Sequence, residues 1–336
     1  MSLANDDIIA EQHMRSLLQR IATGPELSKN VSREEARLGM EIVLQGRVNP
    51  VQAGLYLIAL RMKRETDDEV LGIQQALLEE TRHIDAQVDE LVEIADPFNG
   101  YVRGLPMSPF IPAVLAASGV PAVCHGVETS GPKYGVTHHK VLFAAGESVA
   151  MSLVEAAERV GDPDIGWAYV DQCVTCPKLH QLQELRDLMV KRTCLTTIEV
   201  VLKPMSARYQ THLVTGYVHK AYPPVYTMLA RNAGYQSALI VRGVEGGIIP
   251  SLQQPSKAIR FAGEESDKEW RLQPGMAGIF GASHRAVPIP GQVKSDAADG
   301  KSDIGIDDMA SAAAACAMAA LQGTPGLAYD SLVYSG

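Results

Sequence analysis

The segment Val120–Gly146, VPAVCHGVETSGPKYGVTHHKVLFAAG, concentrates more chemistry than any other part of the chain. Val120, Ala122 and Val123 suit a buried strand that Cys124-His125-Gly126 would end. Thr129, Ser130, Gly131, Lys133 and Gly135 then supply flexible backbone, hydroxyls and one cation, and Thr137 is placed to cap the helix that follows. Free N–H groups at a helix start, beside hydroxyls and a cation, suit a phosphate. An ordinary solvated loop after a strand has the same composition, and this segment alone leaves both readings open.

Two kinds of element must position such a loop. About the first ninety residues read as successive helices, with apolar positions three and four apart and almost no strand pattern. Ile9, His13, Leu17 and Ile21 line one face of the first. Ser32-Arg-Glu-Glu35 is a capping box opening the second, which Gly46 ends. Asn49-Pro50 opens a third with Leu55, Ile58, Ala59 and Met62 inward, and Thr66 caps a fourth running towards His83. From Val88 short apolar runs alternate with helical stretches, the pattern of a parallel sheet wrapped in helices. Strands are expected at 91–95, 120–123, 167–170, 212–218 and 237–241, and helices at 109–117, 138–145, 149–160, 179–191 and 225–233. Ser256–Ser302, rich in Gly and Pro, reads as loops with short strands, and Ser311–Leu321 as a tightly packed small-residue helix. The expected fold class is α/β: a small all-helical domain over 1–87, joined by helices from about 177–195, and a large α/β domain over 88–336 with a mainly parallel central sheet.

Composition narrows the function. With 46% hydrophobic and 21% charged residues in 336, a sizeable core is available, and no apolar run is long enough to span a bilayer. A cytoplasmic protein without a membrane partner is expected. The five cysteines are too scattered for a disulfide framework, and Cys173-Val-Thr-Cys176 lacks the second pair that would complete a metal site. A formal charge of −9 opposes non-specific attraction to polyanions, so nucleic-acid contact would need a local basic surface. Candidates are Arg61 with Lys63 and Arg64; Lys133 with His138, His139 and Lys140; and Lys178 with Arg186, Lys191 and Arg192.

Several motifs together resemble the anthranilate phosphoribosyltransferase family, of the nucleoside phosphorylase type. The helical start with Ala59-Leu-Arg-Met-Lys63 and Glu65-Thr66 is similar to that family's first domain, and Gly119–Gly126 to its strand and Lys-His-Gly-Asn loop. Arg186 and Arg192-Thr193 resemble its Arg-rich helix, Ala238–Gly246 the strand before its acidic pair, and Gly323–Gly326 with Tyr329-Asp330 the approach to its last helix. The resemblance implies a pentosyltransferase, dimeric through the helical domain. Its donor, phosphoribosyl diphosphate, would be held by a Gly-Thr-Gly-Gly-Asp loop, by the Lys-His-Gly-Asn loop and by magnesium on adjacent Asp and Glu.

Residue by residue, the match is partial. Asp96–Gly104 stands where the Gly-rich loop belongs, without its paired glycines, and Asn99, Gly100 and Arg103 are the residues left to bind a phosphate. Cys124 and Val127 replace lysine and asparagine in the next loop, so only His125 and Gly126 match. The acidic pair falls on Ile248-Ile249, which offer magnesium no oxygen ligand. The donor-site candidates are therefore Asn99, Gly100, Arg103, His125, Gly126, Thr129, Ser130 and Lys133, with no catalytic residue assigned. Arg186 shares a helix side with Leu179, Leu182 and Met189. The resemblance makes it an acceptor-site arginine, while its position fits equally a packed stem whose guanidinium meets solvent or a structural carboxylate.

Two functions remain. One is a divergent pentosyl transfer on a phosphorylated ribose or nucleotide-like ligand held between the domains, with ordinary anthranilate transfer compromised. The alternative is a non-catalytic dimer binding single-stranded nucleic acid, since Asn99-Gly100, His125–Val127 and Gly243–Gly246 are similar to the family's nucleic-acid-binding branch.

Overall fold

A computed structural model of the chain describes residues 2–24, 26–291 and 305–336. Four helices come first: α1 (Ser2–Ile21), α2 (Arg33–Leu44), α3 (Pro50–Lys63) and α4 (Asp67–Glu80). Ser32 and Thr66 form complete capping boxes with Glu35 and Glu69, and Asn49 caps α3, so the helix starts read from sequence are made as expected. The inward faces agree in part, with Leu17, Ile21 and Ala59 buried as expected. Ala10, Met14, Leu17 and Ile21 are the buried positions of α1, whereas Ile9 is exposed; on α3, Leu55 and Met62 are exposed while Tyr56, Leu57, Ala59 and Leu60 are buried. α1 and α3 both pack closely on α2 at Gly39, where a Cβ would meet Leu17 and Tyr56 at 2.9 Å.

The rest is an α/β unit. Its elements are β1 (Ile84–Asp85), β2 (Glu90–Ala95), α5 (Ile111–Ala117), β3 (Ala122–Gly126), α6 (His138–Ala144), α7 (Leu153–Gly161) and β4 (Trp167–Asp171). They continue with α8 (Gln172–Thr175), α9 (Pro177–His180), α10 (Gln183–Met189), α11 (Leu195–Ile198), β5 (Met205–Ser206), β6 (Gln210–Gly216), α12 (Pro223–Asn232) and β7 (Ser237–Val241). The last are β8 (Ser256–Ala262), β9 (Lys268–Leu272), α13 (Ile306–Leu321) and α14 (Leu327–Ser335). The seven-stranded sheet runs β4-β3-β2-β6-β7-β8-β9, parallel through β7, with β8 and β9 antiparallel at one edge. The class is thus α/β, a helical first domain followed by a mainly parallel sheet. No helix among the described residues is long and apolar enough to cross a membrane.

Three local differences matter for the site. β3 runs on through Cys124, His125 and Gly126, which pair with Tyr169, Val170 and Asp171 of β4; all five residues of the strand are buried, so the polar residues do not end it. The long helix expected over 179–191 is α9 and α10 with a break between them. α10 lies on α3 at Gly54, where a Cβ would sit 3.5 Å from Leu185 and 3.6 Å from Met189. The Gly- and Pro-rich stretch forms the β8–β9 hairpin; its last part, 292–302, lies outside the described residues.

Chain order sets the place of any ligand. From β2 the sheet is built outward through β3 and β4, then on the other side through β6 and β7, so the order reverses between β2 and β6. Loops leaving the carboxyl ends of strands on either side of such a reversal diverge and leave a crevice. Here those loops begin at Asp96 and Tyr217.

Candidate functional site

Asp96, the first residue after β2, organises the crevice wall. Its Oδ2 accepts from Tyr101 Oη at 2.5 Å, from Ser108 Oγ, and faces His138 Nε2 at 3.0 Å; its Oδ1 accepts from the Ile248 amide at 2.9 Å. Burial pushes this carboxyl up, but the bonds from His138, Ser108 and Tyr101 outweigh it and hold the group below the ordinary aspartate value. One side chain therefore ties the loop after β2, the start of α6 and the turn after β7. Backbone closes the same wall. Gly135 N donates to Asn99 O at 2.9 Å, and Tyr101 and Val136 exchange bonds at 2.9 and 2.8 Å. A Cβ on Gly100, at φ 72°, would lie 2.5 Å from the Gly135 carbonyl carbon.

Outside this wall lies an open cleft of about 700 Å³. Five basic side chains line it: Arg103, Lys133, Arg192, Arg242 and Arg285. Glu245 is the one carboxylate among its described lining residues, and it accepts from the amides of Val102 and Arg103 and from Lys133 Nζ at 2.6 Å. Burial pulls the Lys133 ammonium below its ordinary range; Glu245 opposes this, while Arg192 and Arg103 crowd it further. Among the described residues, the side chains of Arg192, Arg242 and Arg285 have no carboxylate partner. A neighbouring pocket of about 220 Å³ shares Lys133, Arg192, Val218 and Glu245 with the cleft and adds Asn99, Tyr217, His219, Tyr222 and Tyr226. Arg61, at the end of α3, reaches it and donates to Tyr222 Oη at 3.0 Å, so the helical lobe closes one side. A cleft lined by cations thus adjoins a pocket lined by tyrosines.

The residues expected from sequence divide into two groups. Arg103, Lys133 and Asn99 line these connected cavities. His125 and Gly126 line a separate cavity of about 10 Å³ instead, with His125 Nε2 2.8 Å from Glu93 Oε1 and Gly126 under Tyr169. Gly100 is spent on the close approach of Gly135, Ser130 is buried, and Thr129 is exposed away from the cleft lining. Thr137 caps α6 by accepting from Lys140 N, but the helix start is buried, with Thr137 3% and His138 4% exposed. Sequence reasoning missed Arg242 and Arg285. The first sits beside the quoted Gly-Val-Glu-Gly motif, and a rule pairing that motif with its preceding basic residue would have found it; Arg285, in an irregular stretch, carries no local signal.

Arg186 is 5% exposed, and its guanidinium donates through both terminal nitrogens to Glu199, at 2.6 and 2.8 Å. Burial works against the charge, yet the Glu199 carboxylate outweighs it and raises the arginine further. Gln172 Nε2 also donates to Glu199 Oε2 at 3.2 Å. Of the two positions open in sequence, a packed stem with a structural carboxylate is the one the geometry displays. Glu199→Gln would leave a buried cation uncompensated, and thermal melts should show a loss of about 3 kcal/mol.

Comparison with known proteins agrees with this architecture. Residues 15–81 match the model of the glycosyl transferase family's helical bundle domain. An anthranilate phosphoribosyltransferase of Azospirillum brasilense is 27% identical over 271 residues, 80% of this chain and 72% of the relative. An uncharacterised protein of Aquifex aeolicus is 25% identical over 228 residues, 68% of this chain and 67% of the relative. Among solved structures, the anthranilate phosphoribosyltransferase of Thermus thermophilus superposes with a TM-score of 0.69 at 18% identity, covering 95% of this chain and 85% of that one. The chain is similar in sequence to anthranilate phosphoribosyltransferases and shares their fold. One from Saccharomyces cerevisiae in complex with PRPP and Mg has a TM-score of 0.70 at 14% identity, covering 96% of this chain and 86% of that one.

The donor set of this chain does not fit that metal. Ile248 and Ile249 are 2% and 9% exposed and pack in the apolar cluster with Ile94, Met107 and Phe110. Glu245, the nearest cleft carboxylate, already holds two amides and an ammonium. Magnesium asks for several oxygen ligands in octahedral array, and the described residues hold no group of three or more acidic, His or Cys side chains able to supply it.

Proposed function

We propose that the cleft binds a phosphorylated ribose or nucleotide-like ligand through guanidinium and ammonium groups, without a divalent ion and without ordinary anthranilate phosphoribosyl transfer. The observation that carries this reading is the convergence of Arg192, Arg242 and Arg285, none with a carboxylate partner among the described residues, on one cleft of an acidic protein. Guanidinium forks bind phosphate oxygens in pairs and need no metal to neutralise them. The phosphates lie along the arginines, and the ring of the ligand enters the neighbouring pocket among Tyr217, Tyr222 and Tyr226. Charge developing on a leaving diphosphate would receive cationic but no metal stabilisation, so binding rather than rapid transfer is the primary activity. An acceptor role for Arg186 would require Glu199 to release the guanidinium. The lobes of this reading are 1–87 with 177–195, and 88–336 for the rest, in a cytoplasmic protein.

The test is calorimetry of the full chain with phosphoribosyl diphosphate in EDTA and again in magnesium. Equal binding in both is the expected result. Binding that appears only with magnesium would overturn the reading.

The open cleft and its aromatic neighbours favour a second reading, single-stranded nucleic acid threaded along the arginines with bases stacked on tyrosines. Exposed Ile8, Ile9, Val51, Leu55 and Leu188 on the helical lobe support pairing of two copies there, which would join two clefts into a longer track. Gel shifts with single-stranded DNA over a salt series should then show affinity falling steeply as salt rises; salt-independent retention would remove this alternative.

A further inference from the structure

Glu245 is an internal anion standing where the cleft's electrostatics favour one from outside. Its carboxylate takes three donors at once: Val102 N at 3.1 Å, Arg103 N at 2.7 Å and Lys133 Nζ at 2.6 Å. Consecutive backbone amides aimed at one point, with a cation beside them, make a nest for an oxyanion. Glu245 reaches this nest from a left-handed backbone, φ 54° and ψ 13°, in the turn between Gly243 and Gly247. A non-glycine residue pays for that conformation with local strain, which its surroundings must over-determine. Its side chain is 6% exposed, yet the residue lines the cleft.

We infer that the nest of Val102, Arg103 and Lys133 is an oxyanion subsite, and that Glu245 is a resident occupant which one phosphate of an incoming ligand displaces. The inference rests on the reading of the cleft as a phosphate site. A carboxylate and a phosphate both present paired anionic oxygens to N–H donors, so the same three donors serve either. The phosphate brings more charge, and the crowding of Lys133 by Arg192 and Arg103 favours the more highly charged occupant. Glu245 therefore keeps the donors satisfied before a ligand arrives and competes with it afterwards.

The experiment is calorimetric titration of the full chain with inorganic pyrophosphate in EDTA, using wild type, Glu245→Gln, Glu245→Gly and Arg285→Ala. Glu245→Gln keeps the size and removes the charge; Glu245→Gly also suits the left-handed backbone, so a failure of one variant to fold leaves the other decisive. Both should bind pyrophosphate at least about tenfold more tightly than wild type, a change of about 1.4 kcal/mol. Arg285→Ala should bind more weakly. Equal or weaker binding by both Glu245 variants, with wild-type binding intact and reduced by Arg285→Ala, would make Glu245 a brace of the turn and leave the phosphate reading standing. Absence of binding by all four chains would remove the phosphate site and this inference together.

Discussion

A chain carrying Arg192→Ala, Arg242→Ala and Arg285→Ala together is expected to lose pyrophosphate and nucleotide affinity by about 100-fold or more while melting within about 2 °C of wild type. The two halves of this result have separate causes. Hydrogen bonds to charged groups contribute about 1.5–3 kcal/mol each, so three guanidiniums account for a loss at least this large even if their effects overlap. Stability should hold because none of the three has a carboxylate partner among the described residues, and relief of mutual repulsion in the cleft offsets the lost packing of their stems. Calorimetry and a thermal melt on the same preparation decide it. Retained affinity would place the anion site elsewhere, whereas a collapse in melting temperature would make the arginines structural.

The second large effect falls on Asp96. Asp96→Ala strips an acceptor from Tyr101, Ser108, His138 and the Ile248 amide in a wall that excludes water, and orphaned buried donors cost about 1–3 kcal/mol each. A net loss of about 5 kcal/mol is expected, a large fraction of an ordinary domain's stability. The pH dependence has a definite sign. Asp96 titrates below its unfolded value in the native chain, so its contribution is present above about pH 4 and is lost as the pH falls through the native value. Urea midpoints measured from pH 7 downward should therefore fall more steeply in acid for wild type than for Asp96→Asn. Parallel acid limbs would show that the four bonds do not hold the carboxylate ionised.

Much of the fold was legible along the chain because its signals are local. Ser32, Asn49 and Thr66 cap helices within three residues of themselves, and β7 spans the 237–241 expected from its apolar run. Of the residues read from the loops after β2 and β3, Arg103 and Lys133 line the cleft. Strand ends were less legible. His125 looked like the start of a loop but remains in β3, since Glu93 on the neighbouring strand satisfies its ring across the sheet. No window of sequence around His125 contains that partner.

What sequence determined by itself was the inventory: helices then a parallel sheet, a loop after β2 without its paired glycines, and Ile248-Ile249 where carboxylates would bind a metal. Tertiary structure alone decided which cations share a cleft and which are spoken for. Arg186 and Glu199 are thirteen residues apart and buried as a pair, while Arg103, Arg192, Arg242 and Arg285, scattered over the length of the chain, line one cavity. Coulomb interaction depends on distance in space, and the reversal of strand order between β2 and β6 sets those distances, not the spacing of residues along the backbone.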